Sequence, residues 1–193
     1  MKLYVIFAGV NGAGKTTLYQ TNDEYRSLPR VNLDEIVREI GSWRDMNDVS
    51  AAGKIAVKRI KEFFDSGVSF NQETTLCGHS IIRNIERARE YGYFVDLKYV
   101  GLESAELAVK RVEQRVRNGG HGIPTTDVKR RYRESLHNLK KVIQLCDRVR
   151  LYDNSKSFRK IASFSKGICT DCSDEIPKWC EEILFPTLKS MDK

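Results

Sequence analysis

The chain has 193 residues, 40% of them apolar and 31% charged, with a formal net charge of +7. That length holds one α/β domain with a sizeable core, and the composition excludes a disordered chain. The positive charge suits a polyanionic ligand without choosing among nucleotide, sugar nucleotide and nucleic acid.

The longest apolar run, Leu3 to Val10, is far shorter than the roughly 20 residues of a spanning helix, and it lacks a signal peptide's charged start. The chain therefore reads as cytoplasmic, with no membrane segment. Its five cysteines are an odd number, which argues against a disulfide framework. Cys77 and Cys146 read as small core fillers. Cys169, Cys172 and Cys180, with no histidine after Cys169, fall short of a four-ligand zinc site and read as reduced thiols.

In chain order, Leu3–Ala8 is a continuous, partly β-branched apolar run, the pattern of a central parallel strand. A loop over residues 9–14 follows, and Lys15–Thr21 opens a helix. Gly9-Val10-Asn11-Gly12-Ala13-Gly14-Lys15-Thr16 fits G-x-x-x-x-G-K-[ST] in the strand-to-helix setting that gives this motif its meaning. The glycines let backbone N–H groups turn inward on a polyphosphate, and the helix dipole faces the same anion. Lys15 then reaches the β- and γ-phosphates, the Thr16 hydroxyl is a magnesium ligand, and Thr17 reaches the α-phosphate. The expectation is a site for ATP with Mg2+.

Arg30–Leu33 reads as a short second strand with a helix starting near Asp34. Ligands in an open parallel sheet bind where strand C-termini converge, and Asp34 stands at such an exit. It can take a proton from an acceptor hydroxyl, hold magnesium through a water, or simply cap the helix Glu35–Ile40. Apolar residues at helical spacing predict a helix over Val49–Ser66, ended by Gly67. Val68–Thr74 is a strand, and Glu73-Thr74-Thr75 sets a carboxylate and two hydroxyls at its exit. Such a cluster can grip a sugar or cap the next turn.

Ser80 can cap the helix Ile81–Tyr91, which Gly92 stops. Tyr93–Gly101 is a strand, and Glu103–Arg117 a charged helix feeding the turn Asn118–Pro124, which reads as a mobile lid. Arg111 or Arg115 can stabilise charge on a transferred phosphoryl group, or belong to a solvated face. Thr125–Cys146 is a long helix and Asp147–Tyr152 a fifth strand. Ser157–Ile168 holds one or two edge strands and Pro177–Leu184 a terminal helix. The alternation predicts an α/β, three-layer, P-loop nucleotide-kinase-like fold with a parallel five-stranded core sheet. One domain spans 1–193, with 156–193 an extension of unassigned role.

Together these residues resemble the zeta toxin family of P-loop kinases, in its short, single-domain members, from about Leu3 to Ser155. The pieces are the P-loop through Thr17, Asn32-Leu33-Asp34-Glu35-Ile36, Glu73-Thr74-Thr75-Leu76 and Gly92-Tyr93. They continue with Arg111-Val112, Arg115-Val116, Gly119-Gly120-His121-Gly122-Ile123-Pro124, Arg131-Tyr132 and Tyr152-Asp153-Asn154-Ser155. The resemblance implies ATP-dependent phosphorylation of the 3′-hydroxyl of UDP-N-acetylglucosamine's sugar. Asp34 then falls on the catalytic base, and Glu73 and Thr75 on positions that hold the sugar nucleotide. Arg111 or Arg115 falls on a phosphate-stabilising arginine. A second such arginine aligns near His121, so that its role passes to His121, Arg130 or Arg131. Asp153-Asn154-Ser155 would lie near the adenine, or form a turn. The resemblance also raises an antitoxin protein as a partner.

Two rivals remain at this level: a polynucleotide 5′-kinase, or another small-metabolite kinase, and a non-catalytic ATP-gated binding module. Nucleic acid calls for a basic groove with aromatic platforms, whereas the tyrosines here sit mostly inside predicted strands and helices.

Overall fold

Strand β1 (Lys2–Ala8) carries large apolar side chains on both faces, as its continuous apolar run requires. In the computed structural model, which describes residues 1–188, Tyr4, Ile6 and Ala8 enter one core while Val5 and Phe7 enter another. The first core is closed by α3 (Leu33–Ile40), α4 (Met46–Ser66), α5 (Ser80–Glu90) and the end of α7 (Thr125–Val142). The second is closed by α1 (Lys15–Gln20), α2 (Asp23–Arg26), α6 (Ala105–Arg117) and the start of α7.

The remaining strands are β2 (Arg30–Val31), β3 (Phe70–Thr74), β4 (Tyr93–Gly101), β5 (Arg148–Asp153), β6 (Arg159–Ser165) and β7 (Ile168–Cys172). They form one seven-stranded sheet in the order β2-β3-β1-β4-β5-β6-β7. Strands β1 to β5 run parallel, and β6 and β7 add antiparallel. The five parallel strands form the expected core, and β6 and β7 extend it to a mixed seven-stranded sheet. The addition is local: Lys166 and Gly167 both take positive φ, 49° and 82°, the geometry of a two-residue hairpin turn.

Two expected caps are also corrected. Asn32, not Asp34, caps α3, its side chain accepting from the Asp34 N–H at 2.9 Å. This ends β2 early and frees the Asp34 carboxylate from capping. Ser80 lies inside α5, with His79 at the cap position and no side-chain cap bond. Helix α4 begins ahead of Val49 because Asp45 caps it, and Gly67 at φ 69° ends it as expected.

Helix α8 (Lys178–Leu188) packs onto the first core through Trp179, Cys180, Ile183 and Leu184. The Trp179 ring covers Gly101, where a Cβ would come within 2.3 Å of it, and its Nε1–H donates to Asp153 at 2.8 Å. On β4, Asp96 and Lys98 are both fully buried and bonded at 2.8 Å, and Arg148 reaches Asp96 at 2.6 Å. All five cysteines are free thiols. Among the described residues no helix is long and apolar enough to cross a membrane.

Candidate functional site

Strand β1 lies between β3 and β4, so the crevice at its C-terminal end is where the sheet's connections diverge. The P-loop occupies that point. Gly9 has φ 139°, and a Cβ there would come within 2.3 Å of the Val100 carbonyl oxygen, so only glycine lets the loop leave β1 this close to β4. Gly14 has φ 97° and sits under Asn154, whose amide donates to the Ala13 carbonyl at 2.9 Å. The Lys15 ammonium is folded over the loop onto the Val10 carbonyl at 3.1 Å. Burial pushes its pKa down, while the carboxylates of Glu73 and Asp34 pull it back up.

Asn11, Gly12, Gly14, Lys15 and Thr16 line a cavity of about 750 Å³. Gly9, Ala13 and Thr17 do not line it. Val49, Gly53 and Ala56 of α4 also line the cavity, with Gly53 leaving open space where a side chain would stand. Asp34, Glu73, Thr74 and Thr75 line the same cavity, as do Arg111, Arg115, His121 and Arg131.

Glu73 stands closer to the P-loop than its expected sugar-gripping role suggests. Its carboxylate accepts from the Thr16 hydroxyl at 3.1 Å, from Arg30 at 2.6 Å and from Asn32 at 3.3 Å. Arg30 is fixed in turn by Glu35 at 3.0 Å and by the Tyr19 ring, 3.5 Å from its guanidinium. The hydroxyl of Thr16 and the carboxylate of Glu73 are hard oxygen donors side by side, a set that suits magnesium. Thr74 accepts from the Leu76 N–H at 3.1 Å and so shapes the turn after β3, while Thr75 lines the cavity.

The arginines divide their work. Arg111 spends its guanidinium on three carbonyls, those of Gly12 (3.4 Å), Asn154 (2.6 Å) and Ser155 (3.3 Å). Arg115 donates to the Nε2 and carbonyl of His121, at 3.3 and 3.0 Å. Arg131 reaches the P-loop itself, 3.3 Å from Asn11 Oδ1. Arg130 is held by Asp127 and Glu134 on its own helix.

His121 stacks on Trp43, ring centroids 4.1 Å apart and 5° from parallel, and its Nε2 lies 3.8 Å from Asp34 Oδ2. Asp153 is not beside the cavity: it is buried, accepting from Trp179 and from the hydroxyl and N–H of Ser155. In the same segment Asn154 is the residue that touches the P-loop. Sequence reasoning missed Trp43 and Arg30. Neither carries a motif signal, because Trp43 lies in a connection and Arg30 at a strand start rather than an exit.

A family model described as zeta toxin matches residues 1–163. An uncharacterised protein of Haemophilus influenzae is 32% identical over 128 residues, 66% of this chain and 91% of that protein. Among solved structures, one from work on the PezAT chromosomal toxin–antitoxin system of Streptococcus pneumoniae aligns with a TM-score of 0.62 at 17% identity. It covers all of this chain and 86% of its own. A chain of the AvrRxo1-ORF1:-ORF2 complex with ATP aligns at 0.66 and 17% identity, over 88% of this chain and 60% of its own. These structures share the α/β fold of this chain. With most of its length matched by the family model, the chain belongs to the zeta toxin family.

Proposed function

We propose that the protein is an ATP-dependent kinase that phosphorylates a hydroxyl of a sugar nucleotide such as UDP-N-acetylglucosamine. The observation that carries this reading is that one cavity is lined by Lys15 and Thr16 of the P-loop, by Asp34 and by residues of α4. Such a cavity can seat a triphosphate and a second substrate end to end, with a carboxylate between them. The family assignment and the ATP complex of a structural neighbour support ATP as the donor.

In this reading Lys15 leaves the Val10 carbonyl for the β- and γ-phosphates, and Arg115 and Arg131 face the charge that develops on the transferred group. Arg111 braces the P-loop rather than touching the γ-phosphate. Magnesium, when bound, neutralises phosphate charge, and Thr16 with Glu73 would hold it. Asp34 accepts the acceptor's proton, and Thr75 with the α4 wall positions the acceptor. A cytoplasmic setting, where ATP is abundant, fits this activity, and the toxin–antitoxin context of the pneumococcal neighbour supports an antitoxin-like partner.

The test is incubation with ATP, Mg2+ and UDP-N-acetylglucosamine, with a 5′-hydroxyl oligonucleotide as the comparison acceptor, followed by mass spectrometry. A phosphorylated sugar nucleotide is expected. Phosphate found on the oligonucleotide alone would replace the acceptor class, and phosphate on neither would remove the sugar-nucleotide reading.

A further inference from the structure

His121 has no place in a bare scheme of P-loop plus base, yet it is the imidazole nearest to Asp34 and it is held there. Three elements fix it. The Trp43 ring, from the connection before α4, lies flat against the imidazole. Arg115 of α6 donates to the His121 carbonyl at 3.0 Å and to Nε2 at 3.3 Å. Asp34 of α3 faces the same nitrogen from 3.8 Å.

A guanidinium can only donate, so its bond to Nε2 puts the lone pair on that nitrogen and the ring proton on Nδ1. In that tautomer the imidazole is neutral, and the same nitrogen lies 3.8 Å from the Asp34 carboxylate. We propose that His121 is the outlet for the proton that Asp34 takes from the acceptor hydroxyl, an inference that rests on Asp34 being the base.

The acceptor O–H bond breaks while its oxygen bonds to the γ-phosphorus of ATP. The bond from that phosphorus to the bridging oxygen breaks, and ADP leaves with its electron pair. The proton arrives on Asp34 and passes to Nε2 of His121, then to solvent. A separation of 3.8 Å exceeds a hydrogen bond, but catalytic contacts commonly tighten only once substrate is bound.

The surroundings favour release. Burial pushes the imidazole's pKa down, Asp34 opposes this, and Arg115, Arg38 and Arg131 push it down further. A protonated His121 therefore faces three guanidinium charges, and it must also give up the Arg115 bond. The proton does not stay. His121 is a positioning and relay residue acting through Asp34, and the Trp43 stack keeps its ring in plane.

Two measurements test this. In the first, the imidazole of His121 is titrated by NMR in the wild type and in Asp34→Asn. Loss of the facing carboxylate should lower its pKa, and an unmoved titration would overturn the proposal whatever the acceptor is. In the second, His121→Phe keeps a ring against Trp43 but accepts no proton. Its kcat for UDP-N-acetylglucosamine should fall about tenfold and lose the acid limb in the histidine range, with ATP affinity unchanged. A wild-type rate and pH profile in His121→Phe would reduce the residue to a stacking partner. Wild-type turnover in Asp34→Asn would instead remove the base reading beneath it.

Discussion

The Thr16 hydroxyl and the Glu73 carboxylate face each other at 3.1 Å across the exits of β1 and β3. Parallel pairing puts Glu73 opposite Phe7, one residue before the end of β1, so its side chain emerges beside the P-loop. Arg30 and Asn32 then hold it there.

Glu73→Gln should therefore act on metal dependence first. The ratio of ATP affinities with and without Mg2+, measured by calorimetry, should fall by about tenfold or more, as for other groups that orient a metal. An unmoved ratio with a selective loss of acceptor affinity would return Glu73 to the sugar-gripping role expected from sequence.

Lys15→Ala should abolish measurable ATP binding. Lys15 is buried and already sits on the loop, so the polyphosphate loses its nearest cation with no substitute on the same loop. Undiminished affinity in a fluorescent-nucleotide titration would refute the phosphate site.

Trp179→Ala should destabilise the fold by about 3–5 kcal/mol in denaturant titrations, the usual cost of deleting a buried aromatic side chain. Gly101→Ala should also destabilise, because its Cβ would press within 2.3 Å of the indole. Wild-type stability in both variants would mean that α8 does not hold β4 and β5 together.

Asp96 predicts a pH dependence. Burial alone would raise its carboxyl pKa, but bonds from Arg148 and Lys98 outweigh that and hold it below the ordinary carboxylate range. Stability from this group is present above the unfolded carboxyl's pKa and is lost as pH falls through the lower folded value. Asp96→Asn should cost about 3–5 kcal/mol at neutral pH, by leaving Lys98 buried without its partner, and should flatten the acid limb of a stability–pH curve. An unchanged limb would assign acid unfolding to other carboxylates.

Much of this was legible in the sequence where local pattern and tertiary context agree. The apolar run of β1, the P-loop after it and the positive-φ glycines Gly67 and Gly92 all fall where expected. The seven-stranded sheet was less legible, since Lys166-Gly167 is a weaker hairpin signal than Asn-Gly and β7 is short. The two caps were misassigned because Asn, Asp and Ser are close rivals for the same position, and geometry alone separates Asn32 from Asp34. The indole partner of Asp153 lies 26 residues further on, a pairing no local pattern encodes. The same holds for Trp43 beside His121, which the fold brings together from two connections.

The proposed role of Asp34 is to activate an acceptor lying in the cavity beside the P-loop. Its most direct test is to measure, in one preparation each of wild type and Asp34→Asn, ATP affinity by calorimetry and phosphate transfer to UDP-N-acetylglucosamine by mass spectrometry. Equal ATP affinity and a loss of transfer of about 10²-fold or more are expected in the variant, the contribution of a positioned general base. Equal transfer by both proteins would contradict it.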